Sequence, residues 1–507
     1  VVVAPKRPEG CAALGIAPSV APTTSDHGLL LPSAPLHHLL LHPAPGDAAP
    51  RARALVLTSA NRSGDPTLWD DTEALRELAG VADLFLAHDR EVARPFDDSV
   101  FRTSAEGAIP MRLSRAAAPL VLRAPQAARR GGCVLAIGGD LKTAPALAIE
   151  GEIVLEAHVG DLESPATADA AMERVLRLCR ERGVRPDRVA HDLHPGYVGT
   201  RLAAEIAATF GAGTIAVQHH HAHALAGAVE HSLDAPFLAI VLDGLGFGAD
   251  GTLWGGEILV VDGVRFERAA HLEMLRIPGG DAATREPWRS AASWLARAFP
   301  GGNAPALAWH ARHDAATLAL LARAAERGVN APETSSCGRL FDAAASLLDC
   351  GDRSRFEGEA AISLETLAAQ APALRPATAA ARRARSEGAS DEALVHDAGS
   401  AEADGVILCA DLVRDLVLEA ARGAPRAALA RAFHESLATR IASRAAAVAK
   451  HHALRTVVLS GGCLQNRLLA SALVRGLEAR GVVPLAHRRL PPNDGSLAVG
   501  QAAYALQ

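Results

Sequence analysis

At 507 residues the chain is longer than one compact core usually extends, so two or three domains are expected. A net charge of −6, with 51 Lys and Arg against 57 Asp and Glu, excludes a general electrostatic attraction to nucleic acids or anionic membranes. The seven cysteines form no C-x-x-C pair and no apolar run approaches a membrane span, which excludes a zinc ribbon and predicts a cytoplasmic protein with neither nucleic-acid nor membrane partners.

Residues 1–125 form a first compositional unit, and its start within an apparent strand predicts that the chain is a fragment. Its pattern predicts short alternating elements: strands at 28–31 and 54–57, and helices at 36–41 and 72–78. Thr58, Ser59 and Asn61 follow the second strand and suit hydrogen bonding to a nucleotide or an acyl group. The loop at 94–100 offers a cation and two acids. Both patterns are also typical of ordinary turns.

A second unit follows a Pro-, Arg- and Gly-rich break and contains the same layout twice. Each copy has an apolar strand, a Gly/Asp turn and two further strands: 133–137, 144–149 and 153–158, then 237–242, 251–254 and 257–261. Such a duplication predicts two related α/β halves that face a shared nucleotide cleft. Two unrelated β-meanders are the alternative.

The last part of the chain begins with an Ala- and Arg-rich stretch at 370–405, which predicts a flexible surface insertion. A helical spacing at 433–448 and a strand at 456–459 follow. Gly461 and Gly462 then precede a helix near Asn466. Glycines at such a turn allow backbone N–H groups to approach an anion, although many α/β turns contain Gly-Gly without a ligand.

The segment 217–223 is the strongest indication of a site, because it places four histidines within five positions. His219 and His223 lie four residues apart, so on a helix they share one face and can hold one cation. Asp243, at the end of the next apolar strand, can complete the ligand set. Asp494 is a further candidate, but a helix cap is the commoner role of such an Asp. His220 and His221 are either outer or solvent-facing residues, and spacing leaves a His220/His223 pair open.

Together these motifs resemble a known family. The His219-x-x-x-His223 pair, Asp243-Gly244, Ser460-Gly461-Gly462 with Asn466, and Asn493-Asp494-Gly495 resemble the Kae1-like domain of the actin/Hsp70/sugar-kinase (ASKHA) fold. Flanking strings narrow the resemblance to HypF-type carbamoyltransferases of nickel–iron hydrogenase maturation: 192–195, 285–289, 338–342 and 357–361. The first unit resembles the later half of a YrdC-like domain through 35–40, 58–61 and 97–100.

The resemblance implies an α/β fold in which a partial YrdC-like domain, residues 1–125, precedes a duplicated two-lobed Kae1-like domain, residues 131–507. It implies that ATP and carbamoyl phosphate give carbamoyl-adenylate, with Mg accompanying ATP, and that the carbamoyl group passes to the C-terminal cysteine of a HypE-like partner. It also implies a divalent metal, Zn or Fe, on His219, His223, Asp243 and Asp494, which would be the catalytic residues. The nucleotide would contact the following residues: Gly244, Gly338, Asp342, Gly461, Gly462, Asn466, Thr58, Ser59 and Asn61.

The chain also departs from the family pattern. The acylphosphatase-like domain, the zinc-finger segment and the earlier half of the YrdC-like domain are missing, and the segment 112–119 differs from the usual Arg-rich stretch. We therefore expect an N-terminally truncated protein that does not turn over carbamoyl phosphate alone. Two other hypotheses are a small-molecule O-carbamoyltransferase and a nucleotide-binding scaffold with impaired catalysis.

Overall fold

The computed structural model describes residues 1–43, 45–49, 52–62, 67–87, 89–90, 92, 96–104, 107–124, 132–162, 164–372 and 405–507. Its strands are β1 Val2–Pro5, β2 Asp26–Leu29, β3 Val100–Ser104, β4 Gly107–Arg112, β5 Leu120–Arg123, β6 Val134–Ala136, β7 Ala146–Ile149, β8 Glu152–Leu155, β9 Arg188–Asp192, β10 Gly213–Val217, β11 Phe237–Phe247, β12 Leu253–Asp262, β13 Arg265–Leu272, β14 Leu275–Arg276, β15 Glu333–Thr334, β16 Val406–Ile407, β17 Thr456–Ser460 and β18 Val483–Ala486.

The α-helices are α1 Pro8–Leu14, α2 Pro35–Leu41, α3 Asp71–Glu77, α4 Pro165–Arg182, α5 Val198–Phe210, α6 His219–Glu230, α7 Ala282–Arg285, α8 Pro287–Ala298, α9 Ala315–Arg327, α10 Cys337–Leu347, α11 Glu359–Ala368, α12 Ala410–Ala421, α13 Arg426–His451, α14 Arg467–Glu478 and α15 Leu497–Ala505. Short 3₁₀ turns occupy Ala308–Arg312, Gly462–Gln465 and Asp494–Ser496. Within the described residues, no helix combines the length and apolar character needed to cross a bilayer.

The predicted duplication is present in the sheets. In the first lobe the strand order is β8-β7-β6-β9-β10, and in the second lobe it is β13-β12-β11-β17-β18. In both lobes the first three strands are antiparallel neighbours and the last two are added in parallel. Two unrelated β-meanders would contain only antiparallel strands and would not share this strand order. The alternative of unrelated meanders is therefore wrong.

Several predicted boundaries differ from the structure. The apolar run at 54–57 is not a strand, and its side chains are exposed. The strand expected to end at 242 continues through Gly244 to Phe247, with a shift of register between Leu242 and Gly246. The two strands expected at 251–254 and 257–261 form the single strand β12. The predicted strand boundaries followed apolar content alone. In the structure a strand extends as far as a neighbouring strand supplies hydrogen-bond partners, so the boundaries differ. The stretch predicted as an insertion, 370–405, lies mostly outside the described residues.

Helices α6 and α15 lie between the two lobes and pack against each other. Helix α6 packs on β11 and β17 of the second lobe, while α15 packs on β6, β7 and β9 of the first lobe. A Cβ atom at Gly500 of α15 would lie 1.8 Å from the carbonyl oxygen of Ala222 in α6. Only glycine permits this crossing distance. The crossing places the beginning of α6 beside the strand ends of both lobes.

The first unit contacts both lobes. Its sheet has the order β2-β1-β3-β4, but β5 leaves that sheet and pairs with β8 at the edge of the first lobe. On the other side, Arg102 pairs with Asp26 at 2.8 Å and with Glu365 of the second lobe at 3.1 Å. Arg467 of the second lobe contacts the same Asp26 at 2.9 Å. The side chains of this ion cluster are largely buried. Each charge has an oppositely charged partner, as buried charges require, and the pairs join the first unit to the second lobe.

Candidate metal centre

Helix α6 begins directly after β10, so its first turn lies at the edge of the first-lobe sheet. Gln218 caps the helix by accepting a hydrogen bond from the backbone N–H of His221 at 2.8 Å. Four residues separate His219 from His223, and both rings lie on the same face. Both side chains are buried, at 1% and 0% exposure. Gly246 allows this packing, because a Cβ atom there would lie 2.7 Å from the His219 ring.

Four predicted ligands converge on one point. One ligand atom from each of His219, His223, Asp243 and Asp494 lies within 4.8 Å of the others. Asp243 Oδ2 is 3.3 Å from Nε2 of His219, and Asp494 Oδ1 is 3.5 Å from Nε2 of His223. The structure therefore brings together side chains that are far apart in the sequence.

Asp243 lies where β11 changes register, so its carboxylate turns toward α6. The backbone N–H of Gly462 donates to its other oxygen, Oδ1, at 3.1 Å. Burial alone would raise the pKa of Asp243, but the neighbouring imidazoles of His219 and His223 hold this pKa below its ordinary value. The carboxylate is thus ionised and oriented in advance.

Asp494 does not cap the helix that follows it, which corrects the alternative drawn from the sequence. The N-cap of α15 is Ser496, which makes no side-chain capping bond, and Asn493 caps the 3₁₀ turn before it, where its Oδ1 accepts from the N–H of Gly495 at 3.0 Å. The Asn493 amide nitrogen also donates to the carbonyl of Met111 in the first unit, at 3.0 Å. Asp494 is free to face the histidines, and its side chain keeps 17% exposure.

Sequence reasoning missed the partner of His219. Asp192, the last residue of β9, accepts a hydrogen bond from Nδ1 of His219 at 2.7 Å, and its other oxygen accepts from the N–H of His194 at 2.9 Å. Burial alone would lower the pKa of His219, but Asp192 and Asp243 raise this pKa well above its ordinary value. Asp192 stands in one of the strings that carried the family resemblance, and its place at a strand end was the available signal.

His220 and His221 are buried and do not belong to the four converging ligands. The predicted solvent-facing position is therefore wrong for both. His221 Nε2 donates to the carbonyl of Gly263 at 2.9 Å, and burial lowers its pKa to about 4. His220 Nδ1 accepts a hydrogen bond from the amide nitrogen of Gln218 at 3.2 Å. Because His219 occupies the cluster, the His220/His223 pair is not the arrangement found.

The donor set fits a divalent cation. Nε2 of His219 and Nε2 of His223 are both buried, and neither has a hydrogen-bond partner among the residues that the structure describes. Buried polar atoms are normally satisfied, so two orphaned nitrogens facing two carboxylates indicate a missing ligand. Two imidazoles and two carboxylates are a donor set that Zn and Fe accept.

The glycines predicted to line a nucleotide lie around the same strand ends. Gly461 has a φ of 102°, and a Cβ atom there would lie 2.3 Å from the carbonyl of Leu242. A Cβ atom at Gly338 would lie 2.9 Å from Cα of Gly244. However, the N–H of Gly461 donates to Pro492 and that of Gly462 donates to Asp243. These two N–H groups therefore already have acceptors within the protein, and contact of the glycines with a nucleotide stays a prediction.

Two other predicted nucleotide residues have partners within the chain. Asn466 caps α14, because its Oδ1 accepts from the N–H groups of Leu468 and Leu469 at 3.1 Å each. Asp342 is buried and lies 2.7 Å from the guanidinium of Arg339. Burial raises the pKa of Asp342 in spite of this pairing. Their contact with a nucleotide stays a prediction.

The candidates in the first unit do not follow a strand, because the described residues 52–62 contain none. Thr58 and Ser59 are exposed and Asn61 is half-buried, with Ser59 Oγ donating to Asn61 Oδ1 at 2.5 Å. In the loop at 94–100, Asp98 pairs with Arg115 at 2.8 Å. Residue 94, the predicted cation of that loop, lies outside the described residues. A role of these residues in nucleotide binding stays a prediction.

Three family models match the chain. Residues 2–114 match the Sua5/YciO/YrdC family described as telomere recombination, residues 129–230 match the HypF Kae1-like domain, and residues 239–501 match the second subdomain of the carbamoyltransferase Kae1-like domain.

Similar proteins include carbamoyltransferase HypF2 of Cupriavidus necator, 42% identical over 96% of this chain and 61% of that protein. A carbamoyltransferase HypF homolog of the same organism is 39% identical over 74% of this chain and 91% of its own length. The chain thus spans less than two thirds of the HypF2 relative.

Two solved structures share the fold. HypF of T. kodakarensis has a TM-score of 0.84 at 28% identity, over 99% of this chain and 62% of that one. A full-length HypF in a phosphate- and nucleotide-bound form has a TM-score of 0.81 at 29% identity, over 96% of this chain and 71% of that one.

Proposed function

Because the chain belongs to the HypF family of carbamoyltransferases, we propose that it takes part in hydrogenase maturation by passing a carbamoyl group to the C-terminal cysteine of a HypE-type partner. The family resemblance and the α/β fold class expected from the sequence are confirmed. In the proposed reaction, ATP with Mg and carbamoyl phosphate give carbamoyl-adenylate, and transfer to the thiol takes place in the Kae1-like unit, residues 131–507. The YrdC-like unit, residues 1–125, is proposed to contribute to the adenylate-forming step, which this chain alone is not expected to complete.

The convergence of four ligand side chains between the two lobes is the observation that carries this proposal. His219, His223, Asp243 and Asp494 would hold Zn or Fe. Such a cation, when bound, supplies positive charge that stabilises the negative charge developing on the nucleotide phosphate.

The chain's own contribution is to keep these ligands in place before substrate arrives. Asp192 orients His219, and the N–H of Gly462 orients Asp243. Three of the four ligands are buried, so water is largely excluded and charge interactions there are stronger than in bulk solvent. Asp494 is the partly exposed ligand, and we propose that substrate enters on its side.

Metal analysis and a transfer assay together test the proposal. Purified protein is expected to contain roughly one equivalent of metal, and the double variant His219→Ala/His223→Ala is expected to lose it. His221→Ala is the matched control, because this histidine is on the same helix, is equally buried and bonds to the Gly263 carbonyl instead. Full metal retention in the double variant would contradict the assignment.

The transfer step is measured with supplied carbamoyl-adenylate and a peptide that ends in cysteine. Mass spectrometry should show a carbamoylated peptide with the wild-type protein and with His221→Ala, and none with the double variant. Nucleotide binding without any transfer would support the scaffold hypothesis instead. The supplied adenylate makes this test independent of the step proposed for the first unit.

A further inference from the structure

A chain of buried polar side chains starts at His223 and runs away from the candidate metal centre. Its links are His223 Nδ1 to Ser460 Oγ at 3.3 Å, Ser460 Oγ to His487 Nε2 at 3.0 Å, and His487 Nδ1 to Glu230 Oε2 at 2.6 Å. The side chains of His487 and Glu230 are only 1% and 2% exposed, and Ser460 is fully buried. His223 and Glu230 lie two turns apart on α6, so one helix supplies both ends of the chain.

Glu230, at the far end of this hydrogen-bonded series, determines which atom donates in each link. Glu230 also accepts from the backbone N–H groups of Arg488 and Arg489, at 2.7 Å and 2.5 Å. The backbone N–H of Leu490 also donates to Oε2 of Glu230 at 3.4 Å, so both oxygens of Glu230 accept from N–H groups, as in an ionised carboxylate. An ionised carboxylate only accepts hydrogen bonds, so Nδ1 of His487 must carry a proton.

The remaining links follow from that proton. In a neutral His487, Nε2 has a lone pair and accepts the hydroxyl proton of Ser460. The oxygen of Ser460 then accepts a hydrogen bond from Nδ1–H of His223. A neutral His223 with its proton on Nδ1 has an unprotonated Nε2, which is the buried nitrogen that lacks a partner and lies 3.5 Å from Asp494.

We propose that Glu230, His487 and Ser460 are positioning residues that keep the proton of His223 on Nδ1 and so present its Nε2 lone pair to a divalent cation. The inference rests on the proposed metal centre. It gives the two histidine ligands the same support by different routes: a carboxylate, Asp192, contacts His219 directly, and a carboxylate three links away acts on His223. Partners of this kind fix the tautomer and the ring orientation of metal ligands.

The variant Glu230→Gln tests the direction of the chain. The amide oxygen of Gln can still accept from the backbone, but its NH₂ group would donate to Nδ1 of His487. His487 would then donate from Nε2 to Ser460, and Ser460 would donate to Nδ1 of His223. The proton of His223 would move to Nε2, where a cation must bind. We expect the affinity for zinc alone, measured by chelator competition, to fall roughly 10- to 100-fold.

Three further variants separate positioning from folding. Glu230→Asp keeps an acceptor and should restore much of the zinc affinity. Ser460→Ala removes the central link without changing charge, and should weaken zinc binding even if Glu230→Gln fails to fold. Glu273→Gln is the matched control, because Glu273 is also buried and also accepts from backbone N–H groups, those of Cys409 and Ala410. It should leave zinc affinity unchanged.

A second measurement reads the tautomer directly. In ¹⁵N-histidine spectra of zinc-free protein, Nε2 of His223 should be unprotonated in the wild type and protonated in Glu230→Gln. A protonated Nε2 in the wild type would overturn the inference, as would wild-type zinc affinity in folded Glu230→Gln or no zinc binding by the wild type. Neither readout uses carbamoyl chemistry. A protein that shows the expected zinc pattern but transfers no carbamoyl group would therefore overturn only the proposed function.

Discussion

Replacement of Gly500 by alanine should disturb the candidate metal centre from a position outside it. The added Cβ atom would lie 1.8 Å from the carbonyl oxygen of Ala222, and contacts below 3.0 Å essentially never occur. The nearest atoms belong to the backbone of α6, so no side chain can move aside, and α6 and α15 must separate by about 1.2 Å. Because a metal or catalytic constellation tolerates about 0.5 Å, such a shift of His219 and His223 exceeds the tolerance of the site.

Two measurements check this prediction. Overpacking of this kind costs about 1–3 kcal/mol of unfolding free energy, measured by urea titration. Zinc affinity should fall at least roughly 10-fold, as it does when a supporting partner of a ligand is lost. Gly213→Ala is the control, since Gly213 lies in the strand before α6 and has nothing within 4 Å of the added atom. Wild-type zinc affinity in folded Gly500→Ala would show that the helix crossing does not position the ligands.

Three other substitutions test packing and charge. Arg102→Met should lower the unfolding free energy by about 3–5 kcal/mol, because two buried carboxylates would be left to Arg467 alone; an unchanged urea midpoint would contradict this. Glu230 has its pKa lowered from 4.5 to about 2, so it stabilises the fold above pH 4.5, and this contribution, about 3 kcal/mol, is lost as the pH falls toward 2. The stability advantage of wild type over Glu230→Gln should shrink over that range, and a constant difference would refute the assignment. Leu473→Ala, in the core, should cost about 2–5 kcal/mol, whereas the exposed Leu320→Ala should change stability by less than about 0.5 kcal/mol.

The general architecture was predictable from the sequence because the signals for it are local. Apolar runs that end in Gly/Asp turns mark the central strands of each lobe, and their repeated layout predicted the duplication. The run at 54–57 shows the limit: apolar residues of this kind form a strand only where another strand pairs with them. The extension of β11 past Asp243 depends on a change of register with β12, which no short pattern reveals.

The candidate site was predictable only in part, for the same reason. The spacing of His219 and His223 is a property of one helix, and the positions of Asp243 after a strand and Asp494 on a turn made both acids candidates, which the resemblance joined into one ligand set. Asp192 lies 27 residues from His219, and His487 lies 257 residues from Glu230, so only the fold brings these pairs together. No periodicity connects them.

The first unit is attached to one lobe through β5 and to the other through the ion cluster around Arg102. It therefore connects the two lobes directly. A hinge rotation that opened the lobes would have to break the pairing of β5 with β8 or the ion pairs that Arg102 and Asp26 make with the second lobe. Opening of the two lobes would thus be coupled to the N-terminal unit, even though that unit supplies none of the four ligand atoms.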